Sequence, residues 1–368
     1  MLQPNEWRRV CWDEPVATEI QESMPDHAMS PSHPALAARA IEVDSGAPPM
    51  LFVVVDTEEE FDWSGGFARE HTSVEAIRQL PVLQRLLDRY RVKPAYVIDY
   101  PVATSPVSSP VIRALFASGN CVVGAHLHPW VNPPYTEPLT RANSFAFNLG
   151  EAIEHAKLAE LTSAIEGHIG VRPRIYKAGR YGFGPSTVRI LERLDYTTDV
   201  SVNPLMDFSS EGGPDFERFD ARPFWFGAGR RMLEVPCTHG FAGFLRRWGL
   251  PLHPFAETRI CRAARLTGIL ARSGALNKIM LSPENSRLRE MQDLTRALLA
   301  DGVRTFSLTL HSPSVEPGHT PYVRSAADLR AFMDCIDAYC DFFFGSLGGV
   351  PATLEEFRQM SVAGGDAA

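Results

Sequence analysis

Three stretches of the chain bring together side chains able to move protons or hold a cation. In Asp56-Thr57-Glu58-Glu59-Glu60-Phe61-Asp62, five carboxylates fall within seven residues, directly after the apolar run MLFVVV at 50–55. Acids this dense repel one another, and raised pKa values or a bound cation relieve the repulsion. On an extended backbone Asp56 and Glu58, two residues apart, lie on one side. In Ala125-His126-Leu127-His128 the i, i+2 histidines likewise share a face and can reach one metal ion. Glu58, His126 and His128 together form a His₂-carboxylate set, three protein ligands that leave positions open for water.

The third stretch, LTLHSP, places His311 at the end of another apolar run. A lone histidine there usually serves as a structural hydrogen-bonder, but a neighbouring carboxylate would raise its pKa and hold its ring. Asp199, in TTDVSV, is the expected partner. Lys177 and Arg180, in YKAGRYG, supply cations, and either one beside Asp56 would keep that acid ionised. His239 and the Asp99-Tyr100 pair end further runs and carry less weight. The arginines at 246, 247, 259, 262, 265 and 272 read as a solvated basic helix face, with an anionic glycan or partner as the minority reading.

These groups need a scaffold that delivers them to one place. Apolar runs at 50–55, 95–100, 121–126, 174–178, 197–202, 232–236, 278–281 and 304–310 alternate with helical patterns at 74–90, 110–118, 150–168, 185–194, 255–273, 286–300 and 325–344. Continuous apolar runs suit strands covered on both faces, and the alternation predicts a parallel α/β fold. Neither GxGxxG nor GxxxxGK[ST] occurs, which removes the usual phosphate-cradling form of an open sheet and favours a (β/α) barrel of seven or eight parallel strands. In such a barrel the C-terminal strand ends carry the active site, where all three stretches fall. Pro81 predicts a break in the first helix. Residues 1–49, proline-rich and without apolar periodicity, read as an extended arm, 50–350 as the barrel and 351–368 as a C-terminal tail.

Composition narrows the function classes. The 368 residues carry 36 Lys plus Arg against 44 Asp plus Glu, a formal charge of −8, which argues against a dedicated nucleic-acid binder. At 45% apolar and 22% charged residues the chain is globular rather than disordered. No window has the roughly 18 consecutive apolar residues of a membrane span. The N-terminus lacks a secretory h-region and the six cysteines are scattered, so reduced thiols and a cytoplasmic location are expected.

The ordered set of Asp-x-Glu, a His pair, a Lys/Arg-containing third motif, an Asp-containing fourth and a final Leu-x-Leu-His resembles the NodB-homology polysaccharide deacetylases, carbohydrate esterase family four. GAHLHPWVNPP and LTLHSPSVEPGHTPYVRSAADLRAFMD look specifically like the WalW-like subgroup. The resemblance spans about residues 50–350 and implies a distorted (β/α) barrel. It makes Asp56 the catalytic base, Glu58, His126 and His128 the metal ligands, His311 the general acid and Asp199 the acid that tunes it. Lys177 or Arg180 would take the place of the arginine that orients the base. The pattern departs from the family where Asp56-Thr57-Glu58 replaces adjacent Asp-Asp-Gly, where one residue rather than three separates the histidines, and where KAGRYG replaces RxPY.

The implied activity is removal of N-acetyl, or O-acetyl, groups from a polysaccharide or sugar precursor by a divalent ion, Zn²⁺ first among the candidates. Two alternatives stand beside it: hydrolysis of a non-sugar amide, imide or ureide on the same fold, and a metal-free, non-catalytic glycan-binding scaffold.

Overall fold

The computed structural model describes residues 36–365 apart from 37, 64, 230 and 257–265. The arm expected over 1–49 therefore lies largely outside the described residues, as does part of the basic stretch. The strands are β1 (Arg39–Ala40), β2 (Met50–Thr57), β3 (Ala95–Ile98), β4 (Val122–Leu127), β5 (Ile175–Ala178), β6 (Thr198–Asp199), β7 (Phe224–Phe226), β8 (Met232–Glu234), β9 (His239–Ala242), β10 (Asn277–Met280), β11 (Thr305–His311) and β12 (Val350–Pro351). One sheet runs β1-β7-β8-β6-β5-β4-β3-β2-β11, with β12 also on β2. From β8 through β11 every pairing is parallel; β7 and β1 add an antiparallel edge. The sheet curls without closing. Between β8 and β11 the gap is bridged by hydrogen bonds from Leu281 N to Thr238 O and from Thr309 N to Leu281 O.

Alternation along these strands divides the core in two. Leu51, Val53 and Val55 of β2 join Tyr96, Ile98, Val123, Ala125, Tyr176, Phe306 and Leu308 under the surrounding helices. Met50, Phe52 and Val54 instead face inward with Ala95, Val97, Ile175, Val200 and Leu233. Because the side-chain period is two, continuing each inward row upward gives Asp56 on β2, His126 on β4, Lys177 on β5 and His311 on β11. Gly124 lies on this interior, where a Cβ would approach Ile175 O to 2.8 Å and Val97 Cγ1 to 2.9 Å.

Several elements differ from the sequence pattern. Pro81 begins a helix instead of breaking one: a 3₁₀ turn, Glu75–Gln79, leads into the helix Leu80–Asp88, and proline fits the first helical turn. The 278–281 run is not a strand of the parallel sheet; as β10 it pairs antiparallel with β9, whose HGFA sequence lacks the apolar density that would announce a strand. The helix expected over 325–344 ends at Cys340 and continues as a π turn, Asp341–Ser346, which seats Phe343 5.5 Å from Phe306. β12 lies along the start of β2, and within 351–368, where a tail was expected, a helix runs over Leu354–Gly365. Leu354 and Phe357 enter the inner core, with the Phe357 ring 5.5 Å from Phe52. No helix among the described residues is long and apolar enough to cross a membrane.

Candidate active site

The inward rows end in one cluster at the C-terminal ends of the strands. Asp56, at 4% exposure, is paired with Lys177, whose Nζ lies 2.7 Å from each carboxylate oxygen. Burial alone would raise the Asp56 pKa; Lys177, then His126 and His311, outweigh it and hold the acid below its usual range. Of the two cations proposed from the sequence, the structure brings Lys177 and not Arg180 to Asp56. Arg180 turns away because it and Tyr181 both sit in the left-handed region, at φ 53° and 60°. Its guanidinium bonds Ser144 and Glu211 and lies 4.2 Å from the Phe145 ring centre.

Glu58 stands beyond the end of β2, with Oε2 3.3 Å from Nε2 of both His126 and His128. The other ring nitrogens are occupied: His126 Nδ1 meets Lys177 O at 3.0 Å and His128 Nδ1 meets Glu59 Oε2 at 2.7 Å. A carbonyl and a carboxylate only accept, so each Nδ1 carries the hydrogen and each Nε2 is left as an acceptor. Three acceptors then converge with nothing to donate between them, an arrangement that calls for a cation. The donor set and its mutual reach fit a divalent ion. Burial holds the His128 pKa below its ordinary value against the pull of Glu58, which favours the neutral ring a metal needs. Gly179, just after β5, permits the packing; a Cβ there would run into the His128 ring and Leu127 O.

Glu59, unassigned from the sequence, serves as the support for His128. Its Oε1 accepts from Trp130 Nε1 at 2.8 Å while Oε2 takes the histidine, and its own N–H donates to Asp99 Oδ2 at 2.7 Å. Burial pushes Glu59 up to about 7 and Asp99 well above the carboxylate range. Asp99 also caps the helix Tyr100–Thr104, accepting from Val102 N. Glu60 bonds Ser73 and Ala76 N, fixing the loop and not Glu58 or the two histidines.

His311 faces the same space, with Nε2 3.8 Å from Asp56 Oδ2. Its partner is a correction to the sequence reading. Glu284, and not Asp199, bonds His311, Oε2 to Nδ1 at 2.8 Å, and Glu284 Oε1 also receives the His311 N–H and Ser314 Oγ. Asp199 cannot reach because its parity is wrong. Beside inward-facing Val200 it points outward, where it bonds Ser201 and pairs across the sheet with Glu234 of β8. Burial opposes protonation of His311, but Glu284 and then Glu58 overcome it and lift the pKa to about 10. Glu284 sits in the loop Ser282-Pro283-Glu284-Asn285, a composition with no catalytic signature; its spacing just past the KIML run was the only available hint. His239, also considered from the sequence, bonds Asn203 Oδ1 at 3.0 Å.

An aromatic rim borders the cluster. The Phe61, Trp63, Phe67 and Trp130 rings contact one another, Trp63 touches Tyr322, and the Tyr322 ring lies parallel to His311 with centres 6.5 Å apart.

Among solved structures, the chain is similar to a candidate polysaccharide deacetylase from Mycobacterium smegmatis at TM-score 0.50 and 15% identity, covering 88% of this chain and 94% of that one. It is also aligned with the peptidoglycan deacetylase PdaC of Bacillus subtilis (TM-score 0.40, 10% identity, 88% and 96% covered) and with a peptidoglycan N-acetylglucosamine deacetylase (TM-score 0.39, 11% identity, 83% and 86% covered). The fold is a NodB-type distorted barrel. At the level of sequence, no protein-family model and no curated protein matches the chain.

Proposed function

We propose that the chain is a metal-dependent deacetylase that hydrolyses N-acetyl groups on a glycan, with O-acetyl esters as a second substrate, and that it is of the WalW-like type. The supporting observation is the convergence within one buried cluster of three metal-suited acceptors, Asp56 paired with Lys177 and His311 paired with Glu284. A divalent ion held by Glu58, His126 and His128 would supply Lewis acidity toward the acetyl carbonyl and make water a better nucleophile. We propose Zn²⁺, for which two imidazoles and one carboxylate are an established hydrolytic donor set.

The chain's own residues do the proton work. Lys177 keeps Asp56 ionised, so its carboxylate is available to take a proton from the attacking water. Glu284 keeps His311 as imidazolium near neutral pH, so the ring can donate to the departing amine. After one turnover Asp56 carries a proton and His311 lacks one, and their 3.8 Å separation lets the pair reset without a long relay. The aromatic rim suits sugar rings, whose C–H faces stack on aromatic surfaces while their hydroxyls remain in water.

Protein purified without chelator is expected to hold about one divalent ion per chain and to release acetate from N-acetylglucosamine oligomers. Glu58→Ala should lose the ion, whereas Asp56→Asn should keep it and lose turnover by roughly 10²–10⁴. Absence of ion binding by an intact fold would favour a glycan-binding scaffold, and turnover of cyclic imides in place of acetyl sugars would move the reading to another amide class.

A further inference from the structure

Asp199 faces away from His311, yet it is wholly buried, together with Ser201 and Glu234. A carboxylate out of reach of water is costly unless donors are arranged around it. Ser201 supplies two, Oγ to Asp199 Oδ1 at 2.7 Å and N to Oδ2 at 3.1 Å. Glu234, the cross-strand neighbour, accepts from Val202 N at 3.1 Å. Burial raises both acids, but the hydrogen bond between them raises Glu234 further and lowers Asp199, which leaves the pair's proton on Glu234.

The hydroxyl that serves Asp199 also reaches the other way. Past the backbone bond from Val200 N to Tyr176 O, the Ala178 N–H donates to Ser201 Oγ at 2.7 Å. The other side of that same peptide unit is the Lys177 carbonyl, which accepts the Nδ1–H of His126 at 3.0 Å. One line of donors and acceptors therefore runs from the ring of a metal-suited histidine, through a single peptide group, to a buried carboxylate. Each link has one direction: imidazole N–H to carbonyl, amide N–H to hydroxyl, hydroxyl to carboxylate. Such chains are cooperative, because an amide whose N–H is drawn toward an acceptor presents a more basic carbonyl.

We infer that Asp199 and Ser201 are positioning residues for His126, acting through the Lys177–Ala178 peptide as Glu59 acts on His128 by direct contact. A more basic Lys177 carbonyl holds the Nδ1–H more firmly, fixes the tautomer and makes Nε2 the stronger ligand. The inference rests on the reading of Glu58, His126 and His128 as metal ligands, but the hydrogen-bond line is in place without an ion.

Two measurements on the full chain test it. In metal-free protein, the proton NMR signal of His126 Nδ1–H should move upfield in Asp199→Asn and in Ser201→Ala, while that of His128, held by Glu59, stays in place. In an equilibrium titration with Zn²⁺, both variants should bind about tenfold or more weakly than the parent chain. Asp199→Asn is the gentler change, because the amide keeps the volume and loses only one of the two bonds from Ser201. Glu234→Gln is the contrast. Its amide imitates a protonated carboxyl, accepting from Val202 N and donating to Asp199, so signal and affinity should keep their parent values. An unchanged His126 signal in Asp199→Asn and Ser201→Ala would overturn the inference. So would an equal loss of affinity in Glu234→Gln, which would assign the effect to packing of the acid pair. A parent chain that binds no Zn²⁺, yet shows the upfield shift in both variants, would sink the metal reading and not the support of His126.

Discussion

At the scale of single residues, the site depends on carboxylates that stand behind its histidines. Glu284 sets the proton affinity of His311, so Glu284→Gln should bring the His311 pKa down from about 10 toward its ordinary value. The proposed general acid works only while protonated, and the high-pH limb of the kcat profile should therefore move to lower pH. Asp199→Asn should leave that limb in place, because Asp199 faces the helix layer; a shift in the Asp199 variant and none in the Glu284 variant would reverse the assignment. The same raised pKa stabilises the fold fully below about pH 6.5, the unfolded value, and that contribution fades as pH rises through about 10. Glu59 makes a different demand. Two donors, Trp130 Nε1–H and His128 Nδ1–H, approach its two oxygens, and an amide can accept only one of them. Glu59→Gln should thus lower metal affinity by about 10–100-fold in an equilibrium titration, with Asp56 and His311 unaltered. Both supports were hard to find in the sequence: Glu59 was one of five acids in a run, and Glu284 one acid in a loop.

At the scale of elements, strand parity explains what the sequence could and could not reveal. Asp56, His126, Lys177 and His311 were legible because each ends a strongly apolar strand on the inward phase. Asp199 ends such a strand too, but β6 is only two residues long, and the sequence alone did not place its phase relative to the neighbours. The choice between Lys177 and Arg180 likewise rested on two left-handed residues without a glycine to announce them. Short pairings such as β9, β1 and β12 carry too little apolar density to be seen, since their stability comes from the partners they lie against. The helix Leu354–Gly365 is such an element, and its effect can be measured. Phe357, 2% exposed against Phe52, closes the inner core from the end remote from the catalytic cluster. Phe357→Ala should destabilise the fold by about 3–5 kcal/mol in chemical denaturation, yet leave metal affinity unchanged in the folded protein. A loss of metal affinity at full stability would instead couple that helix to the site.

At the scale of the whole molecule, the barrel is assembled from the two ends of the chain. β2 begins at Met50, and its neighbours on the two sides include β11, which starts at Thr305, and β12 at Val350, while Phe357 fills the interior beneath it. The metal-suited trio and the acid–base pair are likewise gathered from residues 56 to 311. This has a consequence for how the protein comes into being. During synthesis, β2 through β8 can pair in order as they emerge, but the first strand must wait for β11 and β12 before both its edges and its inner face are covered. Until then its apolar edge is open to pairing with other nascent chains. Folding should accordingly be slow, limited by contacts of long sequence separation, and the interval before residues 305–357 leave the ribosome is when β2 most needs protection from aggregation.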